Sequence, residues 1–157
     1  MSVNTLAPPL TEAEKALVTK EVLLVVKPMF AAAERMDPEF VPSFCLDTLD
    51  FRITWFNGTT TGYAESNKNW REFASKYSSQ RLEIHTERIH VLAADMVLHY
   101  WQGWTELIQK DGGAVRLDPF AETTLLQKVG SYWKIASRAD SGVPTRLPNP
   151  ASSPWPN

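Results

Sequence analysis

The side chains of this 157-residue chain that could do chemistry are carboxylates and histidines set among apolar residues. Glu122 lies in a strand-like run, where it alternates with Thr124 and Leu126. His99 alternates with Trp101 in the run before it. Successive strand side chains point to opposite faces, so each of these sets shares one face of a sheet. Burial among apolar groups disfavours a carboxylate's charged form, which suits general acid–base catalysis.

Other chemistries lack their sequence patterns. No spacing of His, Cys and Asp resembles a zinc or iron site, and the chain contains neither a glycine-rich phosphate loop nor a Gly-x-Ser-x-Gly elbow. We therefore expect no metal and no cofactor. The net charge of -2, with lysines and arginines scattered, gives no field that would gather nucleic acid or anionic lipid.

Length and composition favour one globular domain, with 43% apolar and 22% charged residues. The lone Cys45 cannot form a disulfide within the chain. The apolar run Val22–Val26 is too short for a signal segment or a membrane span. We expect a cytoplasmic protein.

The first half of the chain carries helical signals. Thr11 and Glu14 form a capping box, which predicts a helix that starts there and runs to about Arg35, with a kink at Pro28. Its predicted apolar face contains Leu17, Val18, Val22, Leu24, Val25 and Met29. Asp37 followed by proline predicts the start of a short second helix. A third follows, with an apolar face of Trp70, Phe73, Ala74 and Tyr77.

Strand signals surround the third helix. Phe51–Phe56 precedes Asn57-Gly58, a pair typical of a type I′ hairpin turn. Four long runs separated by tight turns predict an antiparallel meander: Arg81–Leu92, Met96–Ile108, Arg116–Val129 and Tyr132–Asp140. Helices followed by a long sheet indicate the α+β class, in one domain over residues 1–142. Residues 143–157 hold five of the eleven prolines, which predicts an extended or disordered tail.

The order and spacing of four segments resemble the NTF2-like superfamily, specifically its SnoaL-like branch. They are Ala31–Asp37, the first hairpin with its glycines at Phe51–Gly62, Asp95–Thr105, and Gly130–Ser141. The resemblance implies a cone in which N-terminal helices pack on a strongly curved, mostly antiparallel sheet around a pocket. Family members include isomerases, cyclases, dehydratases, dehydrochlorinases, epoxide hydrolases and domains without chemistry, so the fold does not determine the function.

The resemblance also implies site positions, and this chain departs from several. Leu82 stands where dehydratase-like members carry a catalytic histidine, while Glu34 stands at or beside the carboxylate that holds it. His85 lies on the opposite face of that strand unless a β-bulge turns it inward. Trp55 falls near the base of ketosteroid isomerase and cannot accept a proton. Glu122 falls where related enzymes place a polar group that contacts the ligand.

We therefore predict a pocket for a small hydrophobic ligand. The candidate acids and bases are Glu122, Glu34 and His99. The candidate ligand-binding residues are Trp55, Tyr63, Leu82, Thr86, Arg88, Trp101, Thr124 and Trp133. Two structural alternatives stay open: Glu122 pairs with Arg88 across the sheet, or His99 is a hydrogen-bonded core residue.

Two functions fit these features. One is a cofactor-free isomerase, cyclase or lyase that works by proton transfer, which requires an open cavity with convergent titratable groups. The other is a non-catalytic binding or assembly domain whose cone is filled by Trp55, Trp101 and Trp133. The outer sheet face predicts a homodimer, because it groups apolar residues too extensively for a monomer: Met96, Leu98, Tyr100, Trp104, Leu125 and Val129.

Overall fold

The first helix, α1, spans Glu12–Glu34 and begins at the predicted capping box. The Glu14 amide donates to the Thr11 hydroxyl at 3.2 Å, and the Thr11 amide donates to the Glu14 carboxylate at 2.7 Å. Both bonds satisfy amides that the start of a helix leaves without partners. Pro28 lies inside the helix. The computed structural model describes residues 9–145.

The buried face of α1 is narrower than predicted. It consists of Val22, Val26, Met29, Ala32 and Ala33. The predicted members Leu17 and Leu24 are 65% and 71% exposed. They are seven residues apart, so they share a side of the helix, and that side faces away from the core.

Two shorter helices follow, α2 at Phe40–Phe44 and α3 at Tyr63–Lys76. Asp37 does not cap α2 directly. Its carboxylate accepts the Glu39 amide at 3.0 Å, and its carbonyl accepts the Trp70 indole N–H of α3 at 2.6 Å. Asp37 thus ties the approach to α2 onto α3.

Six strands form one mixed sheet in the order β2-β1-β6-β5-β4-β3. Their bounds are Arg52–Thr54 (β1), Thr60–Thr61 (β2), Tyr77–Ala93 (β3), Met96–Gln109 (β4), Ala114–Val129 (β5) and Tyr132–Thr145 (β6). Every neighbouring pair is antiparallel except β1 and β6, which run parallel. The α+β class and the four-strand meander are confirmed.

The first hairpin turn is not type I′. That turn needs positive φ at both central residues, and here Gly58 has φ 84° while Asn57 is not in the left-handed region. The Trp55 amide instead donates to the Thr59 carbonyl at 2.9 Å, which closes a longer loop.

Two β-bulges decide which side chains face the helices. In β3 the bulge residue is His85, since Ile84 pairs with Gly103 and Thr86 pairs with Gln102. In β6 the bulge residue is Ala136, since Ile135 pairs with Leu126 and Ser137 pairs with Leu125. Each bulge adds a residue to one strand, so the alternation of faces shifts by one beyond it. We call the sheet face that packs against α1 the inner face.

The last strand runs past the predicted domain boundary at residue 143, because β6 continues to Thr145. Pro144 pairs with Leu117 of β5, whereas β1 pairs with β6 only at Ser137 to Ala139. Among the strands of residues 9–145, only β5 pairs with this end of β6, so it lies at a sheet edge, where proline is tolerated. The rest of the predicted tail lies outside the described residues.

One carboxylate joins α1 to the far end of the sheet. Glu21 accepts hydrogen bonds from the Lys128 ammonium at 2.6 Å and from the Trp133 indole N–H at 3.1 Å.

Between residues 9 and 145, no helix combines the length and apolarity needed to cross a membrane.

The bulge at His85 requires a glycine opposite it. A Cβ on Gly103 would lie 1.7 Å from the Glu83 carbonyl oxygen of β3. We expect Gly103→Ala to lower the free energy of unfolding by about 1–3 kcal/mol or more, since overpacking against backbone cannot relax by rotating a side chain. Urea denaturation measures this loss.

Gly62→Ala is the matched control for this change. The nearest atom to its added Cβ, on the Arg52 side chain, is 3.8 Å away, so we expect a loss below about 1 kcal/mol. Equal losses in the two variants would contradict the close approach of β3 to Gly103.

Candidate functional site

Three charged side chains form a buried cluster on the inner face of β5 and β6. The Arg138 guanidinium donates to both oxygens of Asp140, each at 2.8 Å. The same group lies 3.1 Å from the Glu122 carboxylate. The exposed fractions of the three side chains are 12%, 4% and 6% for Arg138, Asp140 and Glu122. Two carboxylates thus share one guanidinium away from water.

The bulge at Ala136 places this cluster inward. Ile135 and Arg138 both lie on the inner face although three positions separate them, because Ala136 is the extra residue. Beyond it, Arg138 pairs with Thr124 and Asp140 pairs with Glu122. Directly opposed residues share a face, so the four side chains meet.

Hydrogen bonding and burial set the electrostatics of the cluster. The Thr124 hydroxyl donates to Glu122 at 3.0 Å. Burial raises the pKa of Asp140 to about 6; Arg138 acts against that rise, and Glu122 adds to it. Burial disfavours the charge of Arg138, but the two carboxylates outweigh it, so the pKa of Arg138 is raised. The guanidinium stays charged, and Asp140 changes charge close to neutral pH.

The cluster borders a small cavity between the helices and the inner face. Its wall includes Met29 and Phe30 of α1, Leu82 of β3, Trp101 of β4 and Glu122. Arg138 also lines it. The cavity volume is about 20 Å³, which is room for about one water molecule.

A second carboxylate contact lies beside the cavity. His99 is fully buried, and its Nε2 lies 2.9 Å from the carboxylate of Glu87 on β3. The His99 ring packs on Phe30 with centroids 5.8 Å apart. Its Nδ1 has no hydrogen-bond partner among the described residues. His99 therefore has the hydrogen bond expected of a core histidine and one free ring nitrogen.

The structure brings together five of the predicted site residues. Leu82, Trp101 and Glu122 line the cavity. Thr124 bonds to Glu122, and His99 is the cross-strand partner of Thr124. These five positions come from three strands.

The bulge at His85 removes Thr86 and Arg88 from the predicted pocket. They pair with Gln102 and Tyr100, which share the outer face. Arg88 is exposed, and the partner of Glu122 is Arg138, so the predicted pair between Glu122 and Arg88 is wrong. The bulge does not turn His85 inward either.

The other predicted site residues lie away from the cavity. Glu34 is exposed at the last position of α1, outside the cavity wall. The Trp55 indole donates to Thr61 at 2.9 Å, and the Tyr63 ring packs edge-on against Phe51. Trp133 bonds to Glu21 at the other end of the sheet. Neither Trp55 nor Trp133 lines the cavity, whereas Trp101 forms part of its wall.

Arg138, Asp140 and Glu87 are the residues that sequence analysis missed. Counting from Trp133 by strict alternation places Arg138 and Asp140 on the outer face. One signal was available: opposite charges two positions apart in a strand share a face and can pair.

No group of three or more His, Cys, Asp or Glu residues in the described range could hold a metal ion.

Comparison with solved structures identifies the fold. An NTF2-like superfamily protein from Salmonella enterica serovar Typhimurium LT2 aligns with a TM-score of 0.71 and 14% identity, over 88% of this chain and 99% of that one. The hexachlorocyclohexane dehydrochlorinase LinA-type3 from Novosphingobium barchaimii LL02 aligns with a TM-score of 0.67 and 11% identity, over 92% and 100%.

The association domain of C. elegans CaMKII is also similar, with a TM-score of 0.63 and 15% identity over 83% of this chain and 99% of that one. No family model and no curated protein sequence matches the chain. The chain has the NTF2-like fold, as the sequence resemblance predicted. Its neighbours include both an enzyme and an association domain, so the function has to be argued from the site.

The raised pKa of Asp140 predicts a specific pH dependence. An unfolded aspartate has a pKa of about 3.9, so between about pH 4 and 6 only the folded protein holds this proton. The contribution of Asp140 to the free energy of unfolding therefore falls as pH rises through that window, by about 3 kcal/mol. We expect urea denaturation to show this fall in the unmodified protein and its absence in Asp140→Asn.

Asp50→Asn, at an exposed aspartate, is the control and should retain the dependence of the unmodified protein. If the unmodified protein and Asp140→Asn differ by a constant amount from pH 4 to 7, Asp140 does not carry a raised pKa.

Proposed function

We propose that this chain is a small-molecule-binding NTF2-like protein that catalyses a cofactor-free isomerase or lyase reaction by general acid–base proton transfer. The substrate is small and has an apolar body, because Met29, Phe30 and Leu82 form part of the cavity wall. The observation that carries the proposal is the pair of buried carboxylates on Arg138.

Asp140 is well suited to hold a proton near neutral pH, because burial and the neighbouring Glu122 both disfavour its charged form. The Arg138 guanidinium limits the rise in the pKa of Asp140, because it favours the charged carboxylate. Burial raises the pKa of Asp140 to about 6, so both protonation states are populated near pH 6 to 7. The charge that Asp140 presents to Arg138, beside Glu122, therefore changes with pH in this range.

The geometry divides the work between the two carboxylates. Glu122 lines the cavity, so it is the group that gives a proton to the substrate or takes one from it. Asp140 is a positioning residue outside the cavity wall, because it holds the Arg138 guanidinium that contacts Glu122. After the substrate has lost a proton to Glu122, the protonated carboxyl can return it to another atom, which gives an isomerisation without a cofactor.

A second candidate function is a non-catalytic assembly domain. The cavity volume of about 20 Å³ favours it, since no substrate fits unless the surrounding side chains move. The likeness to the CaMKII association domain supports it as well. The two candidate functions differ in one measurable property: only the enzyme would exchange protons between solvent and a bound small molecule.

Solvent deuterium separates these functions. We expect the protein, incubated in D₂O with a panel of small cyclic ketones and hexachlorocyclohexane, to exchange a C–H proton or release chloride from at least one compound. Proton NMR of the compounds and a chloride assay measure this. Glu122→Gln keeps the shape and removes the base, so the rate should fall by about 10²- to 10⁴-fold.

Glu34→Gln is the matched control, because Glu34 is exposed at the end of α1. Its rate should equal that of the unmodified protein. Turnover that survives in Glu122→Gln would contradict the acid–base role, and a panel without any turnover would favour the assembly function.

We also propose that the outer sheet face binds a second copy of the chain. Leu98, Tyr100, Trp104 and Leu125 are half-buried neighbours on β4 and β5, and Val129 is 52% exposed. The Arg116 guanidinium covers the Trp104 ring at 3.9 Å. A self-complementary contact between two such faces would cover this apolar patch.

Light scattering after gel filtration tests the dimer. We expect a mass of twice 17.7 kDa at micromolar concentration. Leu125→Asp should give the mass of one chain with an unchanged circular dichroism spectrum, because it places a charge in the contact. Leu24→Asp, on the exposed side of α1, should remain dimeric. A single-chain mass for the unmodified protein would exclude this contact.

A further inference from the structure

The Trp101 indole carries a buried hydrogen-bond donor without an acceptor. Trp101 is 1% exposed, and its Nε1 has no partner among the described residues. An indole N–H can only donate, so no rearrangement of the ring itself satisfies it. Buried polar groups in native proteins are nearly always paired, which makes this atom a position where an acceptor is missing.

The place of Trp101 shows where that acceptor would lie. Three buried side-chain atoms within residues 9–145 have no hydrogen-bond partner, namely His99 Nδ1, Trp101 Nε1 and Arg116 Nε, although Arg116 Nε lies 3.5 Å from the Asp118 carboxylate. Of these residues, Trp101 alone lines the cavity. It is the cross-strand partner of Glu122, so the two side chains stand side by side on the inner face.

Neighbouring rings hold the indole in place. Phe30 of α1 meets Trp101 edge-on at 5.9 Å between centroids, and Phe120 of β5 lies at 5.2 Å. An indole packed between two rings is a fixed donor, which costs little conformational entropy when a ligand binds.

We propose that Trp101 Nε1 donates a hydrogen bond to an uncharged oxygen of the ligand and is the specificity-determining residue of the site. The inference rests on the proposed function of the cavity. Arg138 is already paired with two carboxylates, so it offers no unpaired cation to an anionic ligand. The ligand class is therefore a neutral ketone or alcohol, with its oxygen at Trp101 and its apolar body against Phe30 and Leu82.

Without ligand, a single water molecule can serve as the acceptor. The cavity volume of about 20 Å³ admits one, and polar partners are present. A larger ligand enters only when side chains of the cavity wall move. Its oxygen can then replace the water and keep the hydrogen bond, whereas a hydrocarbon removes the water and leaves the donor unpaired.

Cyclopentanone and methylenecyclopentane test the inference, because they have the same shape and differ in the acceptor oxygen. In protein labelled with ¹⁵N-tryptophan, the Trp101 indole resonance is assigned from its loss in Trp101→Phe. We expect cyclopentanone to shift this proton downfield and to bind about 3- to 10-fold more tightly than methylenecyclopentane. Trp101→Phe should abolish the preference.

Trp133→Phe is the matched control, since the Trp133 indole donates to Glu21 outside the cavity. It should keep the preference for cyclopentanone. Equal affinity of the two probes for the unmodified protein would overturn the role of Trp101 and leave the proposed binding function intact. Failure of both probes to bind would overturn both proposals. If Trp101→Phe does not fold, the affinities of the two probes for the unmodified protein still decide.

Discussion

The buried contact between Arg138 and two carboxylates is the constraint on which the inner face depends. Charges taken out of water are stable only while they remain paired, and removing one partner of a buried pair typically costs about 3–5 kcal/mol. Arg138, Asp140 and Glu122 must therefore be buried together or not at all. That condition constrains the pairing of β5 with β6 and places two charged side chains, Glu122 and Arg138, in the cavity wall.

The elements of the fold could be predicted because their signals are local. The capping box of Thr11 and Glu14 acts across three residues and starts α1 as expected. Gly130 has φ 61° in the turn that joins β5 to β6. Each signal is a short-range preference of the backbone, which the rest of the chain does not override. The order of the meander follows from such turns.

The site could be predicted only where a strand alternates without interruption. From Phe120 to Leu126, β5 pairs regularly with β4, so the inward position of Glu122 and Thr124 followed from counting. The count fails beyond His85 and beyond Ala136. Arg88, expected on the inner face, lies on the outer face, and Arg138, expected on the outer face, lies on the inner face. Neither bulge has a local signature, because each exists to reconcile one strand with its neighbour and with the charges that must be buried.

The two bulges also bear on how the chain tolerates insertions and deletions. Loss of His85 or Ala136 would restore plain alternation around that position and leave the same side chains inward, since each is a surplus residue in the pairing of its strand. Loss of a residue from the regular stretch of β5, between Phe120 and Leu126, would instead turn the inner side chains on one side of the deletion to the outer face. Homologous chains can thus lack a residue at either of these two positions and still keep the site.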